Sequence, residues 1–301
     1  MRYFLSLPPG YQRRQGRRWP VLVCVDCAGS NFRQTAEAFR KARGELPLLV
    51  VAPCTFSNTN AITGYMLEKY RRLYPDELIR KFGRLEWDLE WDEAGLLGVL
   101  DDLWTDFDAE GRVYLTGFSG GGLIAYRMIF KHPDLLAGAA PECANFFGPD
   151  YRALKGRFSA DDLGLPVHLI LGEQDHNRAS TKASQFFSTP LKEFAQVTAA
   201  GLALGLLVWR ATKKVRWVVA VGLGTAAVLG LFGAGRTTGL DAQTDAAAGV
   251  LADLGYRNVK RTLIPGMGHE GRPGPVLDAF RPYVLNQKKR TDPVDFRPQG
   301  E

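Results

Sequence analysis

The residues best suited to chemistry lie together in Thr116-Gly117-Phe118-Ser119-Gly120-Gly121-Gly122. This segment follows a β-type run, Val113-Tyr114-Leu115, and opens a helical run, Leu123 to Lys131. Gly-x-Ser-x-Gly between a strand and a helix is the pattern of a nucleophile elbow, which puts the serine on a sharp turn. The requirement is steric: the serine backbone is strained, and glycines at minus two and plus two let neighbouring chains come close. The helix N-terminus behind Ser119 also favours negative charge developing there. The competing reading is a glycine-rich turn of a dinucleotide-binding fold, which would need its glycines near the first strand and an acidic residue about 20 positions on. Ser119 lacks that context, so the nucleophile reading is preferred. Such a serine needs a base, and imidazole can both take its proton and return it near neutral pH. The search is short, because the chain has four histidines: His132, His168, His176 and His269.

The elements that must position these groups are legible in the hydropathy pattern. From Trp19 onward, short β-branched runs alternate with helical patterns, which predicts an α/β fold with a mostly parallel sheet flanked by helices. Strands are expected over 2–7, 20–25, 47–52, 112–117, 136–140, 166–172 and 258–264, and helices over 32–43, 92–104, 120–132, 241–255 and 274–283.

One segment breaks this rhythm. Phe194 to Trp209 is 16 residues without a charge, followed by the basic turn Arg210-Ala211-Thr212-Lys213-Lys214-Val215-Arg216 and then Trp217 to Gly235, 19 more without a charge. As helices these would be roughly 24 and 28 Å long, against a hydrocarbon core of about 30 Å. Small residues recur four apart, at Gly201 and Gly205 and at Gly222, Ala226, Gly230 and Ala234. In lipid such stripes let helix backbones approach closely. The segment therefore reads as an inserted apolar helical hairpin, with membrane association through 194–235; a buried hairpin or an oligomer interface would share the pattern. The expected organisation is a core in two parts, 1–190 and 237–285, interrupted by the hairpin 191–236 and followed by a polar, flexible tail, 286–301. Both hairpin ends return to the core. No apolar run of signal-peptide length precedes Pro8 and Pro9, which argues for a catalytic core on the cytoplasmic side. The basic turn would then face outward, against the positive-inside tendency, unless the hairpin lies at the interface on anionic headgroups.

Around these motifs the chain resembles the α/β-hydrolase superfamily over nearly its whole length apart from the hairpin. The opening Phe4-Leu5-Ser6-Leu7-Pro8-Pro9-Gly10-Tyr11, and Pro20 to Val25 followed by Asp26-Cys27-Ala28-Gly29-Ser30, are similar to the esterase and polyhydroxyalkanoate-depolymerase-like branch. The resemblance implies the chain order Ser, acid, His. Val167 to Leu171 followed by Gly172-Glu173-Gln174-Asp175 looks like the strand after which the family presents its carboxylate, which makes Asp175 the expected acid and Glu173 its nearest substitute; a turn-capping aspartate is the bland alternative. His269, after Ile264-Pro265-Gly266-Met267-Gly268, stands where the family places its base. The oxyanion hole is expected from the backbone N–H of Gly120 and, by resemblance, of Ala28. Here the chain departs from the family, since Asp26-Cys27 replaces the usual His-Gly pair. The implied activity is a serine hydrolase acting on carboxylic esters, with no metal or organic cofactor and a small-molecule or lipid-like substrate. A peptidase or thioesterase would use the same triad, and a catalytically inactive fold serving as a scaffold is the reading from another class.

The remaining features exclude more than they assign. Lys plus Arg (38) against Asp plus Glu (32) gives a net charge of +6, without a basic face interleaved with aromatics, so no nucleic-acid partner is expected. Cys24, Cys27, Cys54 and Cys143 do not form paired CxxC motifs and read as reduced thiols; Cys27, Cys54 and Cys143 each follow an expected strand, which puts them at the sheet's carboxyl edge near the site, where buried inert cysteine is preferred over a reactive thiol. Trp87 and Trp91 with Asp88, Glu90, Asp92 and Glu93 read as an acidic helix entrance suited to the helix dipole, and paired carboxylates for glycosidase work lack a second signal. The oligomeric state is left open.

Overall fold

The computed structural model describes residues 1–13, 16–27, 31–56, 75–79, 85–147, 150–178 and 239–286. Within them the apolar runs become seven strands: β1 (Tyr3–Ser6), β2 (Val21–Val25), β3 (Leu49–Pro53), β4 (Val113–Phe118), β5 (Leu136–Glu142), β6 (Val167–Gly172) and β7 (Val259–Ile264). They form one sheet in the order β1-β3-β2-β4-β5-β6-β7. Only β1 is antiparallel to its neighbour. β2 and β3 are buried at every position, as expected of parallel strands covered on both faces.

The covering helices are α1 (Phe32–Arg43), α2 (Leu85–Asp106), α3 (Gly122–Lys131), α4 (Leu240–Leu254) and α5 (Pro273–Leu285). Strand alternation sorts the core into two layers. Val21, Val23 and Val25 face the cluster built on α2, α3 and α4. Leu22 and Cys24 face the one built on Phe39 of α1 and on Val276, Leu277 and Phe280 of α5. Local chemistry fixes the helix ends: the Asn31 side chain accepts the Gln34 N–H at the start of α1, and Gly44, at φ 55°, ends it.

All seven expected strands and all five expected helices are present. The largest boundary change is in α2, expected over 92–104, whose acidic residues are interior rather than an entrance. A short helical turn, Asp76–Ile79, had no sequence signal. β5 also runs two residues past its expected end.

The chain divides into two compact units, residues 1–176 with 243–301 and residues 177–242. Of the second, only 177, 178 and 239–242 are described; there Arg178 pairs with Asp241 at 3.2 Å. The expected hairpin, 191–236, and the tail beyond Asn286 lie outside the described residues. Among the described residues no helix is long and apolar enough to cross a membrane.

Candidate active site

The sheet order reverses around β2, whose neighbours β3 and β4 lie on opposite sides, and ligands of open α/β sheets bind beyond the carboxyl ends of strands at such a switch point. Ser119 follows β4 there. Its φ is 50°, one of three positive values among the described non-glycine residues. The flanking glycines meet the steric requirement inferred from the motif. A methyl on Gly117 would lie 2.4 Å from the Gly121 carbonyl oxygen, and one on Gly121 would lie 2.7 Å from that of Val25. No other residue type fits either position without displacing backbone. Behind the turn α3 is buried along nearly its whole length, which anchors the serine from below.

Asp175 and His269 reach Ser119 on two loops tied to each other. Gln174 N–H donates to the Met267 carbonyl at 2.8 Å, and Glu173 N–H to that of Ile264 at 3.0 Å. His269 Nδ1 lies 2.8 Å from Asp175 Oδ2, and its Nε2 lies 3.0 Å from Ser119 Oγ. The Asp175 side chain is fully buried and the imidazole is 20% exposed. A buried carboxylate on one ring nitrogen and a hydroxyl on the other is an arrangement able to move a proton off the serine.

Two of the other histidines are used elsewhere. His132 pairs with Glu93 at 2.7 Å, and His168 faces Phe280 and Tyr283 from β6. The His176 ring lies 6.0 Å from that of His269. Phe118 packs against His269 at 5.2 Å between ring centroids. Of the two expected oxyanion donors, Gly120 is buried at the start of the turn, whereas Ala28 lies outside the described residues. Asp26, where the sequence departs from the pattern it resembles, has a structural use: its carboxylate accepts the Cys27 N–H at 2.8 Å and the Thr35 hydroxyl, tying the end of β2 to α1.

Two further site residues come from the end of β5, which had been expected to stop at Ala140. Glu142 is buried and accepts the Arg272 N–H at 2.8 Å. Cys143 is also buried, has φ 41°, and its sulfur lies with ligand atoms of Asp175 and His269 inside 4.8 Å. In this geometry Asp175 and His269 are already engaged with each other, and His269 with Ser119. Burial, with the nearby Asp175 carboxylate adding to it, pushes the Cys143 thiol up to about 12. A crevice of about 530 Å³ opens beside this cluster, lined by Asp26, Thr35, Thr116, Phe118, Glu142 and His269 among others.

No protein-family model matches the chain, and no curated protein matches it. Solved structures do. The crystal structure of esterase PE8 aligns with a TM-score of 0.50 at 17% identity, over 93% of this chain and 97% of that one. The chain has the α/β-hydrolase fold. Zea mays acyl-protein thioesterase 2 aligns at 0.49 and 13% identity, over 94% of this chain and 97% of that one. A thermostable esterase aligns at 0.44 and 15% identity over 95% of this chain, which spans 56% of that protein's length. Within this α/β-hydrolase fold, Ser119 follows the central strand β4, Asp175 follows β6 and His269 follows β7.

Proposed function

We propose that the protein is a serine hydrolase that cleaves carboxylic esters through an acyl-enzyme. One observation carries the reading: the continuous Asp175–His269–Ser119 contacts at 2.8 and 3.0 Å, ending on a serine held at positive φ. In the first step Ser119 Oγ attacks the ester carbonyl while His269 Nε2 takes its proton. The imidazolium, stabilised by Asp175, then protonates the departing alkoxide, and the alcohol leaves. In the second step His269 takes a proton from water, the hydroxide adds to the acyl-enzyme, and Ser119 leaves reprotonated with release of the carboxylic acid. The negative charge on the tetrahedral oxygen falls to backbone N–H groups, Gly120 and Ala28 being the assigned donors.

Because thioester and amide cleavage use the same groups, turnover of short p-nitrophenyl esters is compared with that of matched thioesters and anilides. The proposal expects the oxygen esters to be preferred, and Asp175→Asn to lower kcat about 10⁴-fold. A folded wild-type protein without turnover on any of the three would point to the scaffold reading. The apolar run 194–235 is further proposed to hold the enzyme on a membrane surface, with the basic turn against anionic headgroups.

A further inference from the structure

Among the described residues, one buried acid that lines the crevice beside His269 takes no part in the proposed mechanism. Glu142 ends β5 and is 1% exposed. It stands opposite Phe118 in the β4–β5 ladder, one strand away from the residue that precedes Ser119. Its carboxyl reaches under the turn that carries His269, where Oε1 accepts the Arg272 N–H at 2.8 Å. The turn passes closely over it: a methyl on Gly271 would lie 3.6 Å from Glu142 Oε2 and 3.3 Å from Phe118 Cγ. His269 and Glu142 line the same crevice. The segment from His269 to Arg272 is therefore held at one end by the ring's bonds to Asp175 and Ser119 and at the other by Glu142, with Phe118 between.

We propose that Glu142 is a positioning residue for His269, setting the height of the histidine turn through the Arg272 amide so that Nε2 stays within reach of Ser119. This role rests on the serine-hydrolase reading. The ionisable groups around the carboxyl are Cys24 and Asp26 on β2 and its end, Cys143 next in the chain, and His269, Glu270 and Arg272 on the turn. Burial pushes the Glu142 carboxyl up to about 8, against the lowering by the Arg272 amide and guanidinium, while Glu270 and Asp26 raise it further. At neutral pH it is a protonated acid that accepts the amide as a neutral group does. Above about 8 it becomes a buried anion beside two other carboxylates, and the turn loosens.

The test compares wild type, Glu142→Ala, Glu142→Gln and Ser119→Ala by fluorophosphonate labelling rate, and by kcat and KM on a p-nitrophenyl ester, from pH 6 to 10. Removing the acceptor in Glu142→Ala is expected to lower kcat and the labelling rate about 10- to 100-fold with KM changed less than about threefold. Glu142→Gln keeps an acceptor and is expected to hold both rates within about threefold of wild type at pH 7, and to lack the wild-type break near pH 8. The proposal is overturned by wild-type kcat in a folded Glu142→Ala, by equal losses in the two variants, or by an effect confined to KM. Should Glu142→Ala fail to unfold cooperatively, the Gln profile decides, and a break near pH 8 shared with wild type overturns the proposal. Labelling that survives Ser119→Ala would overturn the hydrolase reading beneath it, whereas failure with Ser119→Ala unlabelled removes only the role of Glu142.

Discussion

A positive φ at Ser119 costs on the order of 1–3 kcal/mol, and the turn persists because Gly117 and Gly121 let the surrounding backbone close on it. Gly121→Ala is therefore expected to destabilise the fold by about 1–3 kcal/mol through overpacking, read as a lower urea midpoint at unchanged slope. At the neighbouring strand end Cys143 makes an opposite prediction about reactivity. With its thiol near 12, the thiolate fraction at pH 8 is on the order of one in ten thousand. Native alkylation by iodoacetamide, mapped by peptide mass, should modify half-exposed Cys27 and leave Cys143 free. Ser119 was legible because its glycine spacing is a steric demand written in residue types. Asp175 and His269 were legible because each follows a clear strand in the expected chain order. Cys143 was legible as a thiol that follows a strand at the sheet's carboxyl edge, whereas Glu142 was not, because Pro141 reads as a strand stop. The structure shows why the strand continues: Ala139 and Cys143 donate toward β6, to Pro166 and Ile170 at 2.8 Å, and Pro141, between them, gives up only one rung.

At the scale of elements, the acidic start of α2 shows what a one-dimensional reading loses. Its carboxylates suited a helix entrance, yet Asp92 turns inward to accept the Phe56 N–H with both oxygens at 2.9 Å. Glu93 joins α2 to α3 through Arg127, Lys131 and the adjacent His132. Such pairings span 34 to 39 residues and have no local signature. Burial raises the Glu93 carboxyl, but hydrogen bonds from Lys131, Arg127 and His132 outweigh it and hold the group at about 2. A depressed folded value means its stabilisation is present above the ordinary carboxylate range and is lost as pH falls from about 4.5 toward 2. Glu93→Gln should cost about 3 kcal/mol at pH 7, because it removes the carboxylate from a buried ion pair with Arg127. It should also flatten the acid limb of a stability-versus-pH curve measured by urea unfolding.

For the whole molecule, the class and the seven strands followed from alternation of apolar runs, but the strand order did not, since pairing β3 outside β2 is a long-range choice that no window of sequence contains. The run 194–235 is the part whose role rests on sequence alone. If it binds a membrane surface, the full chain should co-sediment with vesicles containing phosphatidylserine. Replacing Arg210, Lys213, Lys214 and Arg216 by Gln should weaken that binding about 1,000-fold, at roughly 1 kcal/mol per charge; unchanged sedimentation would remove the electrostatic part of the proposal. Whether Ser119 is an activated nucleophile is read from fluorophosphonate labelling followed by intact mass. A single adduct on the wild-type protein and none on a folded Ser119→Ala are expected; a folded wild type that takes no label, or a label that survives the substitution, would mean that Ser119 is not the nucleophile.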